Sequence, residues 1–233
     1  MLELNKIYLQ DCFEGMKLID DKSVDLIVTD PPFLTTDCDF DKTSIDWTIL
    51  FDEYYRILKN NGWFFMFGTI EMFSEVIKNK DWKRKFEYIW IKPSIIPCTH
   101  NTMRPATQHE IICAFIKSNL KKVTNNRRVP IDRNGNKKAM TIINKGFRVG
   151  STVIHYPNKN KLPYNERTSH PTQKPYNLIE LIIKGYSAEN SIVLDSFIGS
   201  GTVALACKNL NRNFIGFENN LEYFNIAQKR LNL

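Results

Sequence analysis

Four consecutive residues, Asp30, Pro31, Pro32 and Phe33, gather a carboxylate, backbone carbonyls and a flat aromatic face into one turn. Each proline fixes φ and removes a backbone donor, which leaves carbonyls free to accept hydrogen bonds from something other than the protein. Acceptors grouped beside a π-face suit a planar group that carries an NH2, such as the edge of a nucleobase. The same residues also make a plain turn, since Asp-Pro-Pro is good turn chemistry. Leu26, Ile27 and Val28 precede them as the apolar run of a strand covered on both sides, which sets Asp30 at the strand's C-terminal end.

A second group, Asp195-Ser196-Phe197-Ile198-Gly199-Ser200-Gly201-Thr202, reads as a strand end, a glycine-rich turn and a helix start. Gly199 and Gly201 permit positive φ and let a ligand approach the backbone closely. Glu218 ends the next strand, at the place where an acid in a nucleotide-binding βαβ unit grips ribose hydroxyls. The third glycine of GxGxxG is absent, and so is the Lys-Ser/Thr of a phosphate-binding loop. Asp195 would repel a pyrophosphate but suits an ammonium or a sulfonium. Adenosine joined to a positively charged amino-acid tail is S-adenosylmethionine.

To position both groups the chain must alternate strand and helix. Residues 6–11 read as a short strand ending on Asp11, and 12–18 as a helix. Residues 34–47 are polar, acidic and without period, a loop of the kind that closes on a substrate or merely connects. The spacing of Ile49, Leu50, Tyr54, Ile57 and Leu58 predicts a helix over 47–58, stopped by Asn60-Asn61-Gly62. Strands are expected over 63–67, 88–91 and 110–116, with a helix over 70–78. After 170–175 follow helix 176–185, strand 191–195, helix 202–210, strand 213–218 and helix 221–231. This order predicts a doubly wound, Rossmann-like α/β sheet.

At 233 residues the chain suits one core with an insertion better than two equal domains. No apolar run approaches the roughly 20 residues of a membrane span, and the first residues lack the apolar stretch of a signal peptide, so a cytoplasmic protein is expected. Cys12, Cys38, Cys98, Cys113 and Cys207 stand singly, with no CxxC pair or histidine at ligand spacing, which argues against a metal site or disulfide frame.

Between residues 117 and 148 ten basic side chains face a single acid, Asp132, with few apolar residues to support a core. A solvated loop would look the same, but the clustering and the net charge of +7 favour an arm that tracks phosphates. Lys121, Lys122, Arg127, Arg128, Arg133, Lys137 and Lys138 are its candidate DNA contacts, the arginines able to fork onto guanine edges.

Thr29-Asp-Pro-Pro-Phe33, then His170-Pro-Thr-Gln-Lys-Pro175, then the Asp195–Thr202 turn together resemble the beta group of amino DNA methyltransferases, catalytic motif first and cofactor motif last. The resemblance spans nearly the whole chain outside residues 117–165. It implies a discontinuous catalytic domain, residues 1–116 and 166–233, interrupted by a target-recognition insertion at 117–165. It also implies S-adenosylmethionine as cofactor and an adenine, flipped out of double-stranded DNA, as substrate. Asp30, Pro31, Pro32 and Phe33 would hold the base. Asp195, Phe197, Gly199, Ser200, Gly201, Thr202, Glu218 and Asn219 would hold the cofactor, joined by Asp11, Cys12, Asp30 and Lys174, the last near its carboxylate. A homodimer and a restriction endonuclease acting on the same site are partners it brings into view.

Phe33 stands where adenine enzymes usually have tyrosine, which keeps the ring and loses the hydroxyl. Cytosine-N4 members usually carry serine at the position of Asp30, so Asp favours adenine. Two rivals fit less well. Pro97-Cys98 resembles the nucleophile dipeptide of cytosine-C5 methyltransferases, yet a DPPF lip has no use for a covalent adduct. Protein glutamine methyltransferases have a related lip, with asparagine first and the two motifs in reverse order; an RNA amine methyltransferase is the remaining alternative.

Overall fold

The computed structural model describes residues 2–32, 45–96, 107–119 and 150–232. Along the chain run β1 (Lys6–Leu9), α1 (Cys12–Met16), β2 (Val24–Thr29), α2 (Trp47–Ile57), β3 (Leu58–Gly68), α3 (Ile70–Lys78), β4 (Trp82–Ile96), β5 (Thr107–Lys117), β6 (Val153–His155), α4 (Tyr176–Tyr186), β7 (Ile192–Asp195), α5 (Thr202–Asn209), β8 (Asn213–Glu218) and α6 (Leu221–Leu231).

The apolar run of β2 is continuous because both its faces are buried. Leu26 and Val28 enter one hydrophobic layer, Val24 and Ile27 the opposite one. β3 divides the same way, with Trp63, Phe65 and Phe67 on the first side and Phe64 and Met66 on the second. Residues of α4, α5 and α6 complete the first layer, and residues of α1, α2 and α3 the second. Helices on both faces of one sheet make the chain a doubly wound, Rossmann-like α/β fold.

The strands lie in the order β1-β8-β7-β2-β3-β5-β4-β6. The pairs from β1 to β3 are parallel, β5 runs antiparallel to β3 and β4, and β6 is parallel to β4. Leu26 faces Val193 and Ile27 faces Leu194, so β2 and β7 end side by side. From β2 the chain crosses to β3 through α2, and from β7 to β8 through α5, on opposite faces. The carboxyl ends of β2 and β7 therefore flank the switch point where such sheets bind ligands.

Three segments differ from the expectation. Asn60-Asn61-Gly62 does not stop α2, which ends at Ile57 and passes directly into β3. The register jumps from Val24–Leu58 to Leu26–Trp63, so residues 59–62 bulge, and Lys59 Nζ reaches Asp25 Oδ2 at 2.8 Å. β4 and β5 are longer than the apolar runs suggest, because their outer ends pair with each other beyond the rest of the sheet. Residues 153–155, within the segment read as an insertion, extend the sheet edge beside β4. No helix among the described residues is long and apolar enough to cross a membrane.

Candidate active site

Above the carboxyl ends of β2 and β7 opens a cavity of about 760 Å³. Asp30, Pro31 and Pro32 form one wall and the Asp195–Thr202 turn another. Thr29 and Ser196 share a hydrogen bond of 3.1 Å, and the buried hydroxyl of Tyr54 on α2 also bonds Ser196. This knot fixes the two walls against each other.

Among the described residues Asp30 uses one oxygen: its Oδ2 takes the Lys174 ammonium, whereas Oδ1 is buried without a hydrogen-bond partner. Burial raises the Asp30 pKa, which Lys174 opposes and the charge of Glu110 reinforces. Burial works against the Lys174 ammonium, but Asp30 and Glu110 outweigh it and raise its pKa. Lys174 Nζ also lies 5.1 Å from the Phe67 ring centroid and 3.9 Å from Glu110 Oε2. Glu110 in turn is bonded by Lys92. Lys174, expected near a cofactor carboxylate, is thus paired with the catalytic candidate itself.

Around the second wall the backbone is arranged by its glycines. Gly199 has φ +47°, and a Cβ there would come within 2.8 Å of His170 Nε2. Gly201, at φ +75°, begins α5 and packs on Ala227. The Gly199 N–H donates to Glu218 Oε2 at 2.9 Å and the Asn220 N–H to its Oε1 at 3.0 Å, which ties the turn to the end of β8. Burial raises the Glu218 pKa and pushes the Asp195 carboxyl up to about 8. Burial, with Lys174 nearby, takes His170 down to about 4. Asp11 caps α1 by accepting from the Phe13 N–H at 2.8 Å. The Cys12 thiol, pushed up to about 12 by burial and Asp11, is no nucleophile at neutral pH.

Asp11, Cys12, Asp30, Pro31, Pro32, Lys174, Asp195, Phe197, Gly199, Ser200, Thr202, Glu218 and Asn219 all line this one cavity. Gly201 lies behind it, at the start of α5. Phe33, residues 34–44 of the loop expected over 34–47, Cys98 and the basic residues 121–138 lie outside the described residues.

The sequence profile of a family described as DNA methylase matches residues 24–229. The chain belongs to that N6/N4 DNA methylase family. Its relatives include the type II methyltransferase M.HpaI of Haemophilus parainfluenzae, 34% identical over 97% of this chain and 74% of that protein. M1.MboII of Moraxella bovis is 32% identical, over 100% of this chain and 98% of its own. Among solved structures, the M1.HpyAVI–SAM complex superposes with a TM-score of 0.67 at 29% identity, covering 97% of this chain and 98% of that one.

In this methylase the residues that sequence reasoning passes over are Tyr54, Lys92 and Glu110. Tyr54 carries the spacing of a core residue on α2, and its hydroxyl gives no sign of a polar task. Lys92 and Glu110 sit at the ends of the strands expected over 88–91 and 110–116, where a charge ordinarily marks the solvent side, but inside β4 and β5 of the structure. A lysine directly after the apolar Trp90-Ile91 was the available signal for Lys92.

The cavity also meets a chemical test for the family's cofactor, S-adenosylmethionine. Asp195 and Glu218, both buried, and the partly exposed Asp30 line it, acceptors suited to the positive charges of such a cofactor. Burial raises the Asp195 pKa, and a cationic ligand beside it would favour its ionised form.

Proposed function

We propose that this methylase transfers a methyl group from S-adenosylmethionine to N6 of an adenine turned out of double-stranded DNA. The reading rests above all on Asp30, which lines the cavity beside Pro31 and whose Oδ1 is an acceptor without a hydrogen-bond partner among the described residues. Asp in place of serine favours adenine over cytosine N4.

Asp195 and the Gly199–Thr202 turn would hold the amino-acid part of the cofactor, and Asp11, Cys12, Phe197, Glu218 and Asn219 its adenosine. The cofactor supplies an electrophilic methyl group. An adenine amine is a poor nucleophile because its lone pair is delocalised into the ring. Asp30 Oδ1 and the Pro31 carbonyl accept its two hydrogens, draw the nitrogen toward sp3 geometry and aim the lone pair. Holding reactants so oriented supplies about 7–11 kcal/mol of barrier reduction. Phe33 stacks on the base, worth about 1–3 kcal/mol, which offsets part of the few kcal/mol that extrusion costs.

Residues 117–165 are the target-recognition insertion in this reading, with Lys121, Lys122, Arg127, Arg128, Arg133, Lys137 and Lys138 on the phosphates or base edges. A homodimer and a restriction endonuclease sharing the site complete it. The deciding experiment treats unmodified DNA with the protein and S-adenosylmethionine, digests it to nucleosides and identifies the methylated one. N6-methyladenine is expected. N4-methylcytosine would move the assignment to the other amino base, and methylation of RNA or protein with none of DNA would overturn the reading.

A further inference from the structure

The methylase site uses Asp30 and Lys174, but behind them lies a second charged pair with no assigned task. Lys92 on β4 and Glu110 on β5 are neighbours across an antiparallel ladder, and their side chains are 6% and 23% exposed. A purely structural pair would satisfy both carboxylate oxygens. Here Lys92 takes Oε1, while Oε2 is buried without a hydrogen-bond partner among the described residues and lies 3.9 Å from Lys174 Nζ. The Lys174 ammonium therefore stands between two carboxylates, bonded to Asp30 and within reach of Glu110.

We infer that Glu110, anchored by Lys92, is a positioning residue that acts as the reserve counter-ion of Lys174 when Asp30 takes up a proton from the amine being methylated. The inference rests on the transfer proposed above. As the new N–CH3 bond forms, the S–CH3 bond of the sulfonium donor would break with its electron pair returning to sulfur, and the positive charge would pass to the nitrogen. One N–H bond then breaks, its electron pair stays on nitrogen, and the proton passes to Asp30 Oδ1. The product is a neutral methylated amine and a neutral Asp30. Two carboxylates and two ammonium groups balance before this step. After it, Lys174, whose side chain is 11% exposed, faces a neutral Asp30, and Glu110 is the carboxylate that remains within ion-pair distance. A small rotation of the lysine side chain onto Glu110 Oε2 restores a pair. Without Glu110, Lys174 would stay pinned to Asp30 and oppose its protonation.

The groups that act on Asp30 are Lys174 from the 170–175 segment, Glu110 from β5, Lys92 from β4 and Asp195 from β7. Burial and the Glu110 charge raise its pKa, so removing that charge lowers it. This gives Glu110→Gln an unusual signature. The single-turnover methylation rate on DNA at saturating cofactor falls roughly 10- to 100-fold, a typical share for assisted proton transfer. At the same time the acid limb of the rate profile moves to lower pH. In the cofactor-free protein, the Asp30 carboxyl followed by carbon NMR also titrates at lower pH. Cofactor affinity by calorimetry and DNA affinity by anisotropy stay unchanged, and Glu110→Asp recovers part of the rate. The double variant Lys92→Gln, Glu110→Gln removes the buried lysine charge that Glu110→Gln alone strands, and it remains as slow as the single variant.

Either of two results overturns the inference: a Glu110→Gln enzyme with the wild-type rate and an unmoved acid limb, or recovery of the wild-type rate by the double variant, which would trace the defect to a stranded Lys92. Wild-type methylation of a DNA amine is the control in every run. Its absence would sink the proposed function, whereas its presence with an unaffected Glu110→Gln sinks only the role of Glu110.

Discussion

Thr29 Oγ1 and Ser196 Oγ, 167 residues apart in the chain, meet at 3.1 Å at the ends of two adjacent parallel strands. Each is one step from a carboxylate, Asp30 on one side and Asp195 on the other, so this contact sets the separation of the acceptor wall from the glycine-turn wall. Tyr54 holds it from beneath through its bond to Ser196.

Asp30→Asn keeps the shape of the side chain but replaces a carboxylate by an amide beside Lys174. Methylation is expected to fall by about 10²- to 10³-fold or more, the usual loss when a preorganised electrostatic partner is removed. Cofactor affinity should change little, because the glycine turn is untouched. Asp30→Ala should lose activity as fully and also lower the melting temperature, since breaking a buried ion pair by deleting one partner costs about 3–5 kcal/mol. Activity and melting measured on both variants separate the two effects, and normal methylation by Asp30→Asn would remove Asp30 from the mechanism.

The two walls were legible in the sequence because each follows an apolar run that only a buried strand explains. Their meeting was not, since the pairing of Leu26 with Val193 is set by the whole sheet and leaves no local trace. The same competition explains the misplaced stop after α2. Asn60-Asn61-Gly62 is a sound local helix terminator, yet strand pairing from Leu58 onward overrides it and turns the three residues into a bulge. Lys92 and Glu110 escaped notice for a related reason: a charged side chain in a strand reads as solvent-facing until the neighbouring strand that buries it is known.

Gly199→Ala should damage the cofactor wall more than the fold. The left-handed conformation at φ +47° costs a residue with a Cβ about 1–2 kcal/mol. The new methyl group would also press on His170 Nε2 at 2.8 Å, shifting a side chain that lines the cavity. Cofactor titration should show a weakened Kd, with a melting temperature lowered by only a few degrees. An unchanged Kd would mean that this turn does not cradle the cofactor.

If the basic segment tracks phosphates, DNA affinity must fall steeply with salt. Removing one phosphate-contacting lysine or arginine, tested singly at Lys121, Lys122, Arg127 and Arg128, should reduce the slope of log K against log[salt] by about 0.9. The loss should be similar for cognate and unrelated DNA. A residue that instead relaxes sequence preference without altering the slope is a base reader, and a salt-independent affinity would exclude DNA as the partner of this segment.

Asp195 makes cofactor binding depend on pH. Burial pushes its carboxyl from 3.8 up to about 8, so in the cofactor-free protein it is protonated through neutral pH. A sulfonium and ammonium nearby favour the ionised form, so binding below pH 8 must expel a proton. Affinity should then rise as pH climbs toward 8, by up to tenfold per unit for one released proton. Stability of the empty protein has the opposite trend. Between the unfolded and folded pKa values the native state holds a proton that the unfolded chain has lost, so stability falls as pH rises toward 8. His170, lowered from 6.5 to about 4, contributes a rise with pH that is complete near 6.5, which leaves the stretch from 6.5 to 8 as the clean window. Asp30 and Glu218, also raised, contribute a decline of the same sign above the ordinary carboxylate range. Asp195→Asn should therefore flatten, without abolishing, the loss of stability across that window, and it should remove the proton release that calorimetry in buffers of different ionisation enthalpy detects. Undiminished proton release from Asp195→Asn would place the coupled proton on another carboxyl and leave Asp195 without a part in charge recognition.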